Sequence, residues 1–193
     1  MGFFITSIGL GSGGNLGGLA GADAHCEALA AAVGAGARTW RAYLSQVAAG
    51  ALPNINARDR IGSGPWYNAN GQLIASNVAD LHGDYYPDRN NIRKPSAVNE
   101  KKELVNGVGD MPNTHDMLTG SDPWGRVPNG SPALLTCNNW TSNAENNFTL
   151  LGHHDRLGGG NTSWNSVHAS AGCAQPQLVQ TGGAGLFYCF AAD

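Results

Sequence analysis

Four cysteines, Cys26, Cys137, Cys173 and Cys189, constrain what this chain can fold into more than any other feature. Their number is even, no C-x-x-C or zinc-finger spacing accompanies them, and two bridges among four cysteines can form in only three ways. Disulfides imply an oxidising compartment. Cys189 lies in the apolar close GAGLFYCFA, where Leu186, Tyr188 and Phe190 alternate with Phe187 and Cys189. That alternation predicts a buried strand with the cysteine on one face. Cys26 lies in an alanine-rich stretch of helical character. A bridge from early helix to late strand would staple the two ends of one domain.

A chain of 193 residues is most simply one domain, residues 1–193, with room for a sizeable core. Charged residues make up 13%, about half the usual ~25%, and 28 glycines call for many turns and long loops. The net charge is −3, and eleven basic residues scattered among fourteen acids form no basic patch. A nucleic-acid or heparin footprint is therefore not expected. No apolar run approaches the ~18 residues of a membrane span. FFITSIGLG is too short, and lacks the basic start, to be a signal peptide, so the Met-Gly beginning reads as a boundary left by a removed leader.

Phe3 to Ile8 predicts a short strand. The glycine loop after it contains G-x-G-x-x-G at Gly9, Gly11 and Gly14. More glycines precede the helix and no βαβ unit follows, so a connector is favoured over a dinucleotide site. Leu19 to Val33 predicts a helix stopped by Gly34, with Cys26, Leu29, Ala30 and Val33 on one face. Arg38 to Ala49 predicts a second helix, with Trp40, Tyr43, Leu44 and Val47 at core spacing. Asn70-Gly71 marks a hairpin. Gly83 to Gly109 is a long polar loop, and loops of that length are usually functional or mobile. Strands are predicted at Leu134–Trp140, at Phe148–Gly152 and at the close. Helices first and strands later indicate an α+β class.

The stretches GLAGADAHCEALAAAVGAGARTWRAYLS, LTGSDPWGRV, TCNNWTS, LLGHHDRL and ASAGCAQ…GLFYCF occur in that order. Together they resemble the endostatin domain at the end of some collagens, and the endostatin-like surface proteins of bacteria, including leptospires. The resemblance spans most of Leu19–Ala191 and is weakest at Gly83–Gly109. It implies a C-type-lectin-like fold, with two N-terminal helices, a twisted, mostly antiparallel sheet and long loops. It also implies nested bridges, Cys26–Cys189 and Cys137–Cys173. Two family features have no counterpart here: the N-terminal histidine cluster for zinc and the arginine-rich heparin face.

The densest metal-competent set is His153, His154, Asp155 and His168. Adjacent strand residues face opposite ways, so His153 and His154 are not expected on one ion. Asp110, Asn113, Asp116 and Asp122 are oxygen donors in a turn-rich loop. MPN at 111–113 and WNS at 164–166 resemble lectin calcium triplets, but each lacks the carboxylate, and Asx turns account equally for such residues. Calcium or zinc is thus a possible ligand and neither is required. No nucleophile elbow, H-E-x-x-H or P-loop is present, and all four cysteines read as structural, so an enzyme is not expected.

The functional expectation is a secreted or surface-displayed bacterial binding module, adhesin-like or lectin-like. It would recognise a glycan or an extracellular-matrix or cell-surface protein. The alternatives are an enzyme on the same fold, or the structural tip of a fibre that oligomerises with its own copies. The expected recognition face is the long-loop region, with Tyr85, Tyr86, Asp110, Asn113, His115, Asp116 and Trp124. Aromatic faces beside Asn and Asp side chains suit both sugars and protein hot spots.

Overall fold

The architecture comes from a computed structural model that describes residues 1–84, 92–155 and 163–193. It is a mixed α+β domain organised around one long strand. The elements that matter here are β1 (Phe3–Ile5), α1 (Gly18–Ala32), β2 (Trp40–Ala42), β3 (Trp66–Tyr67), β4 (Leu73–Ala75), α2 (Val78–Leu81), β5 (Asp116–Leu118), α3 (Pro132–Leu135), α4 (Cys137–Trp140), β6 (Leu150–His153), β7 (His168–Ala169), α5 (Gln175–Gln180) and β8 (Gly183–Ala191).

The main sheet runs β1-β8-β5-β6-β7. Phe190 of β8 pairs with both Phe3 of β1 and Arg41 of β2, so β1 and β2 lie on opposite edges of β8. β5 runs parallel to β8, and the other pairings between the strands named above are antiparallel. The alternation read in GAGLFYCFA divides the core as expected. Leu186, Tyr188 and Phe190 join Phe3, Tyr43, Trp66 and Trp164 on one face. Phe187 and Cys189 join Phe4, Trp40, Trp140 and α1 on the other. Ala22, Cys26 and Ala30 are the buried residues of α1, four apart on a single stripe. Small side chains there let the helix lie close to the sheet. Both disulfides pair as the resemblance implied, Cys26 with Cys189 and Cys137 with Cys173. The Asn70-Gly71 hairpin forms between β3 and β4.

Two expected elements differ. Residues 38–49 form strand β2 and an extended segment, so there is one long N-terminal helix and not two. Trp40, Ala42 and Leu44 face the α1 core while Tyr43 faces the other. That is period two, which a short apolar run does not separate from 3.6. The edge of β8 decides: the Tyr43 N–H donates to Tyr188 O, and the Ala42 N–H goes to the Asp23 carboxylate at 2.9 Å. Those amides are thereby withdrawn from any helical ladder.

The strand expected at Leu134–Trp140 is instead α3 followed by a left-handed turn. Cys137, Asn138, Asn139 and Trp140 have φ of 47°, 55°, 55° and 65°. Such a run costs about 1–2 kcal/mol per non-glycine residue. It persists because its side chains are committed. Cys137 is bridged, Asn139 exchanges hydrogen bonds with Val47 N and O, and the Trp140 indole donates to Ser45 O at 2.8 Å.

Between the sheet and the loops lies a buried polar chain. Asn165 Nδ2 donates to the Tyr43 hydroxyl at 2.9 Å, Tyr43 donates to His82 Nε2 at 2.7 Å, and His82 Nδ1 donates to Val78 O at 2.7 Å. Every member is satisfied only while His82 is neutral. Burial pushes its pKa from 6.5 down to about 4. The unfolded chain therefore binds more protons than the fold between those two values. The stabilisation is complete above pH ~6.5, falls as the pH drops towards 4, and amounts to about 3 kcal/mol. Urea unfolding at pH 7.0 and 4.5 should show the loss, and His82→Gln should flatten it. His154, also pushed down by burial, acts in the same direction.

Candidate functional site

Of the residues expected on one recognition face, the five that the structure describes separate into three groups. Tyr85 and Tyr86 lie outside the described residues. Asp110 and Asn113 shape the loop before β5. Asp110 accepts the Gly107 N–H at 2.9 Å and pairs with Lys94 at 2.6 Å, and Asn113 Oδ1 accepts the His115 N–H at 3.2 Å. These are Asx-type contacts. Asn165 of the WNS segment is fully buried in the polar chain described above. Asp122 accepts the Trp124 and Arg126 N–H groups at 2.9 and 2.8 Å.

Trp124 is 41% exposed and stands on that turn. Its carbonyl accepts from Arg58 at 2.9 Å, and Arg58 also holds Asp84 at 2.6 Å. A Cβ on Gly125 would fall 2.4 Å from both the Tyr43 hydroxyl and His82 Nε2, so the turn is pressed against the core and has no room for a side chain. The Arg58 hydrogen bond keeps the Asp84 carboxyl below its usual range. The result is a partly exposed tryptophan on a fixed backbone, beside an ion pair.

His115 and Asp116 go elsewhere. Both side chains are buried, with Asp116 only 1% exposed. The antiparallel register of β5 and β6 sets Asp116 opposite His153, and β7 brings His168 alongside. Three imidazole nitrogens then surround Asp116 Oδ1: Nε2 of His153 at 2.8 Å, of His115 at 3.4 Å and of His168 at 3.5 Å. The Nε2 atoms of His153 and His168 are 3.0 Å apart, and the rings of His115 and His153 stack with centroids 4.0 Å apart. Glycines make the space, since a Cβ on Gly182 would lie 3.1 Å from His115 Nε2 and one on Gly183 3.1 Å from Asp116 Cβ.

Outer contacts orient the rings. Asp155 Oδ1 lies 3.3 Å from His115 Nδ1, and its Oδ2 accepts the Val108 N–H at 2.6 Å. Burial opposes ionisation of Asp155, but these hydrogen bonds outweigh it and hold the carboxyl well below the usual range. His168 Nδ1 donates to Ala169 O at 2.9 Å. His154 lies in the turn just after β6, outside the cluster, and donates through Nε2 to Asn106 O at 3.0 Å. Sequence reading grouped His153 and His168 as metal-competent and put His115 and Asp116 on a different surface. The signal for uniting them was a pairing register between β5 and β6, which a single sequence does not carry.

No family model matches the chain, and no curated protein matches it significantly. The class that fold and site define is thus a disulfide-stapled α+β domain with a partly exposed aromatic turn and a buried histidine–carboxylate centre. Its two bridges mark a chain that matures in an oxidising compartment. Among the described residues no helix is long and apolar enough to cross a membrane.

Proposed function

We propose that this chain is a secreted or surface-displayed binding module of the endostatin-like, C-type-lectin-like kind, and that it recognises a glycan or a matrix or cell-surface protein around Trp124. One observation carries the reading: a half-exposed tryptophan on a turn whose backbone is fixed by Asp122, Arg58 and the core. Pre-organised aromatic and arginine side chains are what interface hot spots use, because little ordering entropy remains to be lost on binding. The exposed 41% of Trp124 is the aromatic surface that a sugar or a protein ligand would meet. The pairing of the four cysteines supports the kinship, since it is the pairing the resemblance implied.

The test is a glycan array together with a panel of matrix proteins, read with the wild-type chain and with Trp124→Ala. Wild type should bind at least one component, and the substitution should weaken that binding about tenfold or more. Its melting temperature should stay within a few degrees, because Trp124 belongs to neither buried core cluster. Unchanged binding by Trp124→Ala, or no binding on either panel, would reject the reading.

A further inference from the structure

We propose that His115, Asp116, His153 and His168 form a zinc site, with three imidazole Nε2 atoms and one carboxylate oxygen as ligands. His115, Asp116 and His153 can offer ligand atoms that all lie within 4.8 Å of one another, with His168 beside them. Zinc holds nitrogen and oxygen ligands at about 2.0–2.1 Å, which sets neighbouring ligand atoms about 3.3 Å apart. Four ligand–ligand separations are 2.8, 3.0, 3.4 and 3.5 Å. These four values cluster around that edge length, and all of them are edges from Asp116 or His153.

The second observation is independent of the spacing. Asp116 is buried, and neither of its oxygens has a hydrogen-bond partner. The His153 nitrogen lies at hydrogen-bond distance from Oδ1 but off hydrogen-bond direction. The ring protons of His115 and His168 are committed on the far side, at Nδ1, to Asp155 and to the Ala169 carbonyl. Their Nε2 lone pairs are therefore left for the carboxylate side, 3.4 and 3.5 Å from Asp116 Oδ1. A proton shared between His153 and His168 would satisfy one of those contacts and leave the carboxylate unpaired. Burying an unpaired carboxylate is strongly unfavourable, and a divalent cation removes the problem at every ligand at once.

The donor set selects the ion. Three neutral imidazoles and one carboxylate suit zinc, whereas calcium takes six to eight oxygens. The contact from Asp155 to His115 is the carboxylate–histidine–metal relay that fixes tautomer and ring orientation. Four protein ligands complete the coordination, as in structural sites. The ion would tie β5, β6 and the two-residue edge strand β7 together, and through Asp155 the loop at 107–108. His168, with 37% of its side chain exposed, gives the ion its way in. Loading releases any proton shared by His153 and His168.

Untagged protein, stripped with chelator and dialysed, is loaded with zinc and its bound metal counted by elemental analysis. Cobalt(II) loading is read in parallel by visible absorption. One zinc per chain is expected, with the intense visible bands of four-coordinate cobalt. Zinc at about a hundredfold excess over its Kd should raise the melting temperature by about 5–10 °C. His168→Ala, at the half-exposed corner, keeps the fold and should lose the four-coordinate cobalt spectrum. Asp155→Asn should weaken zinc about 10–100-fold while stoichiometry is kept. Absence of stoichiometric zinc in the wild type, or an unaltered cobalt spectrum in His168→Ala, overturns the proposal.

Discussion

Converting Cys26 and Cys189 together to alanine is expected to destabilise the fold by about 3–5 kcal/mol and to lower its melting temperature by roughly 10–15 °C. The bridge joins residues 163 apart in sequence. In the chain-entropy model a closed loop of that length restricts the unfolded chain by about 5 kcal/mol. It also bolts α1 to the face of β8 at the centre of one core half, where Cys26 and Cys189 are both fully buried. Alanine leaves a small void there but no unpaired polar group. The Cys137–Cys173 bridge, with a separation of 36, should cost about 1 kcal/mol less on chain entropy alone. Its loss also frees the left-handed turn to relax. Chemical denaturation of the two double variants measures both values. Equal, near-zero losses would mean that packing alone holds the ends together.

Asp23→Ala is expected to cost about 3–5 kcal/mol, a large effect for one side chain on a helix. Both Asp23 oxygens accept from Arg60 Nη2, at 2.8 and 2.7 Å, and Oδ1 also accepts the Ala42 N–H at 2.9 Å. The Arg60 side chain is only 10% exposed. Alanine would leave that guanidinium nearly buried with no counter-charge and would orphan the backbone amide of β2. Because the harm lies in the stranded charge, Asp23→Ala combined with Arg60→Met should be less destabilised than Asp23→Ala alone. Non-additivity of that sign in a double-mutant cycle is the check. Additive losses would show that the pair contributes nothing beyond its separate contacts.

The Asp23 contact also shows why the segment after α1 is a strand and not the helix its spacing predicts. WRAYLS satisfies a helical and a strand period equally over six residues, and local propensity leaves the tie unbroken. The tie is broken by β8, which arrives from the far end of the chain with a free edge, and by a carboxylate on α1 that takes the Ala42 amide. The turn at Cys137–Trp140 was closer to legible. Asn is among the non-glycine residues most enriched in left-handed backbone, and two adjoin here. What the residues alone did not show was that a disulfide, the Val47 backbone and the Ser45 carbonyl would hold four such residues in a row.

For the recognition face, residue type pointed to Trp124, because proline and glycine around an aromatic ring mark an outward turn. For the histidine centre, residue type pointed to His153 and His168 and alternation separated His153 from His154. The same reasoning put His115 and Asp116 on the surface, since their neighbours are polar. Burial of those two depends on β6 pairing with β5 in one particular register, and on Gly182 and Gly183 leaving space beside them.

By itself, then, the sequence determined what is local or periodic. That covers the alanine-rich helix α1, the two-faced closing strand β8 and the Asn-Gly hairpin. Those features follow from side-chain spacing and backbone preference over a few residues. The tertiary structure decided what depends on a partner remote in sequence: β2 as strand, the left-handed turn, the protonation of His82, and the meeting of His115, Asp116, His153 and His168. Each of these is settled by which distant group reaches a given hydrogen bond or cavity first, and that competition exists only once the chain has closed on itself.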